Sequence, residues 1–139
     1  MLLLNASDGV PVAIDVATAA AMNIEVDKYP SGNVDLFIPV PALPSATLKK
    51  VVEWVTHMQT LEEPLRVEIE TSPWYTQYFD IDMPALALLD WAADYFNLGE
   101  LHFHTRKNAM RLLGVRCGCQ VPMILAKHLN AYIVNIFGE

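Results

Sequence analysis

The fold class follows first from one stretch of the chain, Leu48-Lys49-Lys50-Val51-Val52-Glu53-Trp54-Val55-Thr56-His57-Met58. Its apolar side chains recur every three or four residues, which places them on one stripe of a helix, while the two lysines and the glutamate face away. Ser45 precedes the stretch at a position suited to capping the helix with its hydroxyl. The stretch therefore predicts an amphipathic helix that packs one face on a hydrophobic core.

The segment on the amino-terminal side of this helix predicts a small β-sheet. Leu2 to Asn5 and Val10 to Val16 have the composition and alternation of strands, and Asp8-Gly9 between them favours a tight hairpin turn. Ala17 to Met22 predicts a short helix, because alanine loses little freedom on becoming helical. Val34 to Val40 predicts a further short strand.

The pattern on the carboxyl-terminal side is mainly helical. Asp82 is placed to cap a helix that has Pro84 in its first turn and is apolar over a wide arc, which predicts a central helix. Asn97-Leu98-Gly99 ends it, and a second helix runs to Gly114, so the two form a helical hairpin. Leu65 to Glu70 alternates between apolar and polar residues and predicts an edge strand.

Composition limits the function to a few classes. The chain has 139 residues, 53% hydrophobic and 18% charged, so it is long enough for one core and has apolar groups to spare for a partner. Its net charge of −7 opposes binding to nucleic acid or to an anionic membrane. The apolar run Leu2 to Leu4 is too short for a signal peptide, and Ile124 to Phe137 is interrupted by polar residues. We therefore expect an intracellular protein without a membrane span.

Two histidines and two cysteines supply the ligand types of a tetrahedral zinc site: His102, His104, Cys117 and Cys119. Side chains two residues apart on a helix point about 200° apart, so the two histidines cannot both face one ion from the same helix. The alternative puts His104 on the polar face of its helix and His102 near the apolar arc. With one residue between them, the cysteines give no disulfide framework, and reduced thiols are expected.

A thiol enzyme is a further alternative, because Arg116 beside Cys117 could lower the pKa of that thiol. No residue is fixed as its base, and glycine-rich phosphate loops are absent from the sequence. We therefore expect no catalytic residue, no metal and no cofactor.

Several motifs occur together in the order typical of one known family. Ser7-Asp8-Gly9 opens an alternating strand, and Val40-Pro41-Ala42-Leu43-Pro44 leads into the long helix. Trp74-Tyr75-Thr76-Gln77-Tyr78 then precedes Leu89-Asp90-Trp91-Ala92-Ala93-Asp94-Tyr95-Phe96-Asn97-Leu98. In combination they resemble the S-phase kinase-associated adaptor family, the small subunit that links F-box proteins to a cullin in SCF ubiquitin ligases. The resemblance extends to Pro122, Leu125, Lys127, Leu129 and Asn130 and covers most of the chain.

The resemblance implies an α/β (α+β) fold of BTB/POZ type, with a small sheet, a cluster of helices and a carboxyl-terminal helical F-box-binding extension. The BTB/POZ-like domain would span residues 1–98, and the partner-binding extension, packed on it and not independent, residues 99–139. The implied function is a non-catalytic adaptor of the ubiquitin conjugation pathway, in cytoplasm and nucleus. Cullin binding would use Asp94 and Tyr95. The F-box side would use Leu101, His102, Arg106, Ala109, Leu113, Pro122, Leu125 and Leu129.

The chain also departs from the family pattern. Asp94 replaces an asparagine, and His102, Arg106 and Ala109 stand where the family usually has apolar groups. The first helix is cut short, residues 115–120 look inserted, and the chain ends in the apolar run Ala131 to Phe137. Such a run is either core or a partner surface. A homodimeric BTB-type scaffold, for example in a chromosome-segregation assembly, is therefore the second hypothesis, and a thiol- or zinc-dependent enzyme the third.

Overall fold

The protein combines a small sheet with six α-helices in the part of the chain that a computed structural model describes. This part comprises residues 2–24, 36–39, 43–62, 68–114 and 121–137, with the backbone alone at 36–39 and 132–137. The chain is thus a mixed α+β protein and mostly helical, as the sequence predicts at that level.

The sheet has the strand order β2-β1-β3. Strand β1 (Leu2–Asn5) pairs antiparallel with β2 (Pro11–Ile14) and parallel with β3 (Leu36–Pro39). Gly9 lies in the turn between the first two strands with φ of 79°, a conformation that glycine adopts without steric cost. The predicted hairpin is confirmed, and the ends of the third predicted strand, 34–35 and 40, lie outside the described residues.

The second strand ends earlier than predicted because Asp15 starts a helix. Its Oδ1 accepts a hydrogen bond from the Thr18 amide at 2.7 Å, which caps α1 (Val16–Ala21). Asn23 follows α1 with φ of 62° and donates from Nδ2 to the Phe96 carbonyl at 2.7 Å. The first helix is therefore short, as predicted, and its end is joined to a helix much later in the chain.

Helix α2 (Ser45–Thr60) is the amphipathic helix predicted from the opening stretch. Leu48, Val51, Val55 and Met58 of its apolar stripe are buried, and Val52 is half-buried. The predicted cap is wrong, because Pro44 occupies the N-cap position and Ser45 is the first helical residue. The Asp8 Oδ2 atom accepts from the Ser45 amide at 3.2 Å and from its hydroxyl at 2.7 Å. A carboxylate from the hairpin thus accepts hydrogen bonds at the amino-terminal end of α2.

The alternating segment Leu65 to Glu70 does not form the predicted edge strand where it is described. Residues 63–67 lie outside the described residues, and Ile69–Thr71 form a turn of 3₁₀ helix. Helix α3 (Pro73–Tyr78) follows at once, and the Ser72 hydroxyl accepts from the Tyr75 amide to cap it. Within the described part of this segment, the apolar side chain Ile69 is buried in the 3₁₀ turn and belongs to no strand.

Three longer helices complete the chain: α4 (Met83–Tyr95), α5 (Gly99–Leu113) and α6 (Val121–Phe137). Asp82 caps α4 by accepting from the Ala85 amide at 3.0 Å, as predicted. Gly114 ends α5 with φ of 68°. Among the described residues, no helix is long and apolar enough to cross a membrane.

Helix α4 is central, as its wide apolar arc predicts. It packs against α2, α5 and α6 and buries Leu86, Leu89 and Ala93 completely or nearly so. One hydrophobic cluster includes Leu4 of the sheet, Leu48 of α2 and Leu101 of α5. The core is thus continuous from the sheet into the carboxyl-terminal helices, and α5 and α6 take their positions from α4.

Candidate partner-binding surface

The eight side chains expected on the F-box side fall into two groups. Leu101, Ala109 and Leu125 are buried, with 0%, 0% and 4% of their surface exposed, and belong to the core cluster. Their burial in this chain means that they hold α5 and α6 on α4 and do not themselves present a surface. The others are partly or fully accessible: His102, Arg106, Leu113, Pro122 and Leu129.

Arg106 and His102 face a buried carboxylate on α4. Asp90 is 6% exposed, and its Oδ1 accepts from Arg106 Nε at 3.0 Å while its Oδ2 accepts from Arg106 Nη2 at 3.3 Å. The Thr105 hydroxyl donates to the same carboxylate at 2.7 Å, and His102 Nε2 lies 3.4 Å from it. A buried carboxylate has to be paired, so α5 supplies the pairing groups.

This cluster gives a physical reason for the polar residues on α5. The polar residues on α5 answer Asp90, which stands in an otherwise apolar part of α4. Arg106 therefore uses two of its guanidinium nitrogens for hydrogen bonds to a carboxylate of the same chain. About a third of its side chain, 34%, stays exposed. Its first role is to join α5 to α4.

Three large apolar side chains that were not among the predicted site residues are exposed on the same helices. Phe103 and Leu112 of α5 are 60% and 42% exposed, and Met123 of α6 is 64% exposed. Phe103 and Met123 each interrupt an exposed side of their helix, which is the signal that could have identified them, whereas Leu112 follows the buried residues Asn108 and Ala109 by one turn. Aromatic residues and methionine are enriched at protein–protein interfaces, so these side chains are the accessible apolar groups of the candidate surface.

The alternative to a zinc site predicts His104 on the polar face of α5, and this prediction is wrong. It is 6% exposed, and its Nδ1 makes a hydrogen bond of 2.9 Å with the Tyr75 hydroxyl. The Asn108 amide donates to that hydroxyl at 2.8 Å and to the His104 carbonyl at 2.9 Å. Burial lowers the pKa of the His104 imidazole, and the Glu70 carboxylate opposes this shift in part.

The same network continues to the protein surface. Glu70 Oε1 lies 3.4 Å from His104 Nδ1 and 2.5 Å from Lys107 Nζ. Arg111 donates from Nε and Nη2 to the Asn108 side-chain oxygen at 3.3 and 3.2 Å. His104 and Asn108 thus link α5 to α3 and the 3₁₀ turn, while Lys107 and Arg111 carry charge at the rim.

Aromatic rings fill the space between α2 and α3. Trp54 is 3% exposed and lies within 6.0 Å, between ring centres, of Trp74, Tyr78 and Phe79. Lys50 donates to the Tyr78 carbonyl and its ammonium stands 3.9 Å from that ring centre, while the Tyr78 hydroxyl donates back to the Lys50 carbonyl. Burial raises the pKa of Tyr78. These aromatics therefore serve packing in the first place.

The two residues expected at a cullin lie at the carboxyl end of α4. Asp94 is exposed, and Tyr95 is 51% exposed with its ring edge-on to Phe96 at 5.0 Å between centres. Helix α4 buries Ala92 and Ala93 between the other helices, which fixes the direction in which Asp94 and Tyr95 point. Both side chains are accessible to another protein.

No group of three or more histidine, cysteine or acidic side chains is placed to hold a metal among the described residues. His102 contacts Asp90 and His104 contacts Tyr75, so the two imidazoles face different neighbours. Cys117 and Cys119 lie outside the described residues, so the structure does not test the zinc and thiol hypotheses.

Neither a model of a known protein family nor a curated protein gives a significant match to this sequence. The function is therefore inferred from the residues and the geometry of the chain itself.

Proposed function

We propose that this protein is a non-catalytic adaptor that links an F-box-type substrate receptor to a cullin in a ubiquitin ligase. On this proposal it has a BTB/POZ-type fold and works in the cytoplasm and nucleus without a cofactor. Its function resides in two surfaces, one at the carboxyl end of α4 and one on α5 and α6.

The observation that carries the proposal is the arrangement of the best-matching motif. The string from Leu89 to Leu98 forms the second half of the central helix and the turn into α5, so it holds both surfaces in a fixed relation. One end of this motif exposes Asp94 and Tyr95. The helices packed on α4 expose Phe103 and Met123.

The proposed F-box surface consists of accessible residues. Its members are the predicted side chains that remain accessible, together with the exposed apolar ones: His102, Phe103, Arg106, Leu112, Leu113, Pro122, Met123 and Leu129. Large apolar side chains surrounded by polar groups are the usual composition of a protein interface. Leu101, Ala109 and Leu125 support this surface from below.

The cullin surface carries a charge that the family lacks. Asp94 puts a carboxylate where the family has a neutral amide, so a partner has to supply a basic group to bind there. Reversion to the neutral amide, Asp94→Asn, should therefore strengthen binding to a cullin that lacks such a group.

Co-purification from cells of the protein's source tests the proposal. The tagged chain should recover an F-box protein, identified by mass spectrometry, and Phe103→Ala together with Met123→Ala should reduce that recovery. The matched control is Tyr95→Ala, which removes an exposed aromatic at the other surface and should leave F-box recovery unchanged. Recovery of a cullin without an F-box protein, or of neither, would contradict the proposal.

A further inference from the structure

We propose that a cavity between the end of α2 and the 3₁₀ turn binds the side chain of an arginine on an exposed segment of a partner protein. The cavity has a volume of about 240 Å³, and its walls include His57, Leu61, Glu68, Ile69, Pro73 and Trp74. Pockets for drug-sized ligands usually have about 300 to 1,000 Å³, so this one has room for a single side chain. It lies outside both surfaces of the proposed adaptor and does not rest on that function.

One wall of the cavity consists of the stacked rings of His57 and Trp74, called here the ring wall. Their centres are 3.7 Å apart and their planes differ by 11°. The Tyr78 ring lies nearly parallel to Trp74 at 4.9 Å between centres, and the buried Trp54 ring lies 5.9 Å from Trp74. Packing therefore fixes the ring wall before a ligand arrives, which lowers the entropic cost of binding.

The remaining walls are mainly aliphatic, with one carboxylate beside them. Ile69 is 2% exposed, and Leu61 and Pro73 add apolar surface. Glu68 is exposed, and its carboxylate makes no hydrogen bond or ion pair with another residue that the structure describes. Such a cavity suits a ligand that is apolar along its length and cationic at its end.

The neighbouring charges do not cancel that carboxylate. Glu70 of the 3₁₀ turn lies 2.5 Å from Lys107 Nζ, so these two compensate each other. Lys49 lines the adjacent cleft of α2 together with Glu53, four residues further on and on the same side of the helix. Glu62, just beyond the end of α2, is exposed and also negative. The described charges around the cavity therefore favour a cation.

Arginine meets these requirements better than other side chains. Its methylene groups can lie against the aliphatic walls, while its planar guanidinium can stack on the ring wall and pair with Glu68. The compact ammonium of lysine has no flat face to match the rings. An apolar side chain would gain nothing from Glu68, and an acidic one would be repelled by it.

The test is an NMR titration of the full chain with three capped peptides, Gly-Gly-X-Gly-Gly, in which X is arginine, citrulline or norleucine. Citrulline keeps the shape of arginine without its charge. At about pH 8, where histidine side chains are ordinarily neutral, we expect the arginine peptide to shift the indole signal of Trp74 with a Kd of about 1 to 10 mM. Citrulline and norleucine should bind about threefold more weakly. The indole signal of Trp91, which does not line the cavity, is the internal control.

A charge-removing variant locates the cation. Glu68→Gln keeps the size of the side chain and should weaken the arginine peptide about threefold, while the citrulline peptide binds as before. Glu62→Gln is the matched control, because Glu62 is equally exposed but does not line the cavity, and its effect should be smaller. Urea unfolding of both variants shows whether the fold is retained.

Three results would overturn the inference. An unmoved Trp74 signal would mean that no side chain enters the cavity. Equal binding of the three peptides would mean that the cavity selects for apolar surface and not for charge. Equal weakening by Glu68→Gln and Glu62→Gln would assign the attraction to the general negative charge of the chain. Each of these results leaves the F-box co-purification test untouched, so the two proposals fail independently.

Discussion

Asp90 joins α4 to α5 through hydrogen bonds to a buried carboxylate. A carboxylate that is 6% exposed has been taken out of water, and it is stabilised by the Thr105 hydroxyl and by two nitrogen atoms of Arg106. A hydrogen bond to a charged group contributes about 1.5 to 3 kcal/mol, and removal of one partner leaves the other unsatisfied.

Asp90→Ala should therefore lower the free energy of unfolding by about 2 kcal/mol in urea titration. The control is Asp94→Ala on the same helix, an exposed position where a change within about 0.5 kcal/mol is expected. A double-mutant cycle with Arg106→Ala isolates the pair, and additivity of the two single effects would show that the contact does not stabilise the fold.

His104 makes stability depend on pH near neutrality. Burial lowers its pKa in the folded state, with Lys107 acting in the same direction and the Glu70 and Glu100 carboxylates against it. Below the unfolded value of about 6.5, the unfolded chain therefore binds a proton that the folded chain resists. The free energy of unfolding should fall as the pH falls from about 7 to about 5.

His104→Phe should flatten this dependence in urea titrations at a series of pH values. The Asp8 and Asp15 carboxylates, whose pKa values are lowered by hydrogen bonds, lose their contribution only at more acidic pH. An unchanged slope for His104→Phe would assign the dependence to another group.

At the scale of elements, the predictions that succeeded depend on local patterns. The stripe of α2 and the Asp82 cap of α4 involve residues within a few positions of each other, so spacing alone identifies them. The Ser45 cap failed because its amide bonds to Asp8, 37 positions away, and no local pattern reports such a contact. The strand predicted over Leu65 to Glu70 failed in its described part, because alternation does not distinguish a strand from a turn that buries a residue such as Ile69.

For the candidate partner-binding surface, too, the sequence predicts helices but not which side chains are buried. The family resemblance places Leu101, Ala109 and Leu125 on the F-box side, but an apolar residue in a sequence does not show whether its side chain meets its own core or a partner. The sequence predicts a polar, exposed position for His104, because nothing near it in the sequence indicates that the Tyr75 hydroxyl, 29 positions away, forms a hydrogen bond with it.

The turn that ends α5 gives a test with a matched pair of glycines. Gly114 has φ of 68° and Gly99 starts the same helix, and an added Cβ would meet nothing within 4 Å at either site. Gly114→Ala should lower the free energy of unfolding by about 1 kcal/mol because alanine is strained at positive φ. Gly99→Ala should be neutral or slightly stabilising. Equal effects in urea titration would show that backbone conformation does not decide the end of α5.

At the scale of the whole molecule, one continuous core joins the sheet to α5 and α6, so the helices that carry the proposed partner surface also carry part of the core. Leu125 and Met123, two residues apart on α6, allow the contribution of the core to be distinguished from that of the proposed surface. Leu125 is 4% exposed and Met123 is 64% exposed. The family resemblance places Leu125 on the F-box side, whereas its burial makes it a core residue of this chain.

Leu125→Ala should lower the free energy of unfolding by about 2 to 5 kcal/mol, because it opens a cavity in the core. Met123→Ala should change the free energy of unfolding by less than about 0.5 kcal/mol, and it should weaken binding of the proposed F-box partner by more than about 1 kcal/mol, because an exposed apolar side chain contributes where a partner covers it. Urea titration measures the first effect and calorimetric titration with the co-purified partner the second. The opposite pattern, with Met123→Ala destabilising the free chain and Leu125→Ala affecting only binding, would mean that α6 presents its other side to the partner. The adaptor surface would then have to be assigned to the face of α6 that here contacts α4.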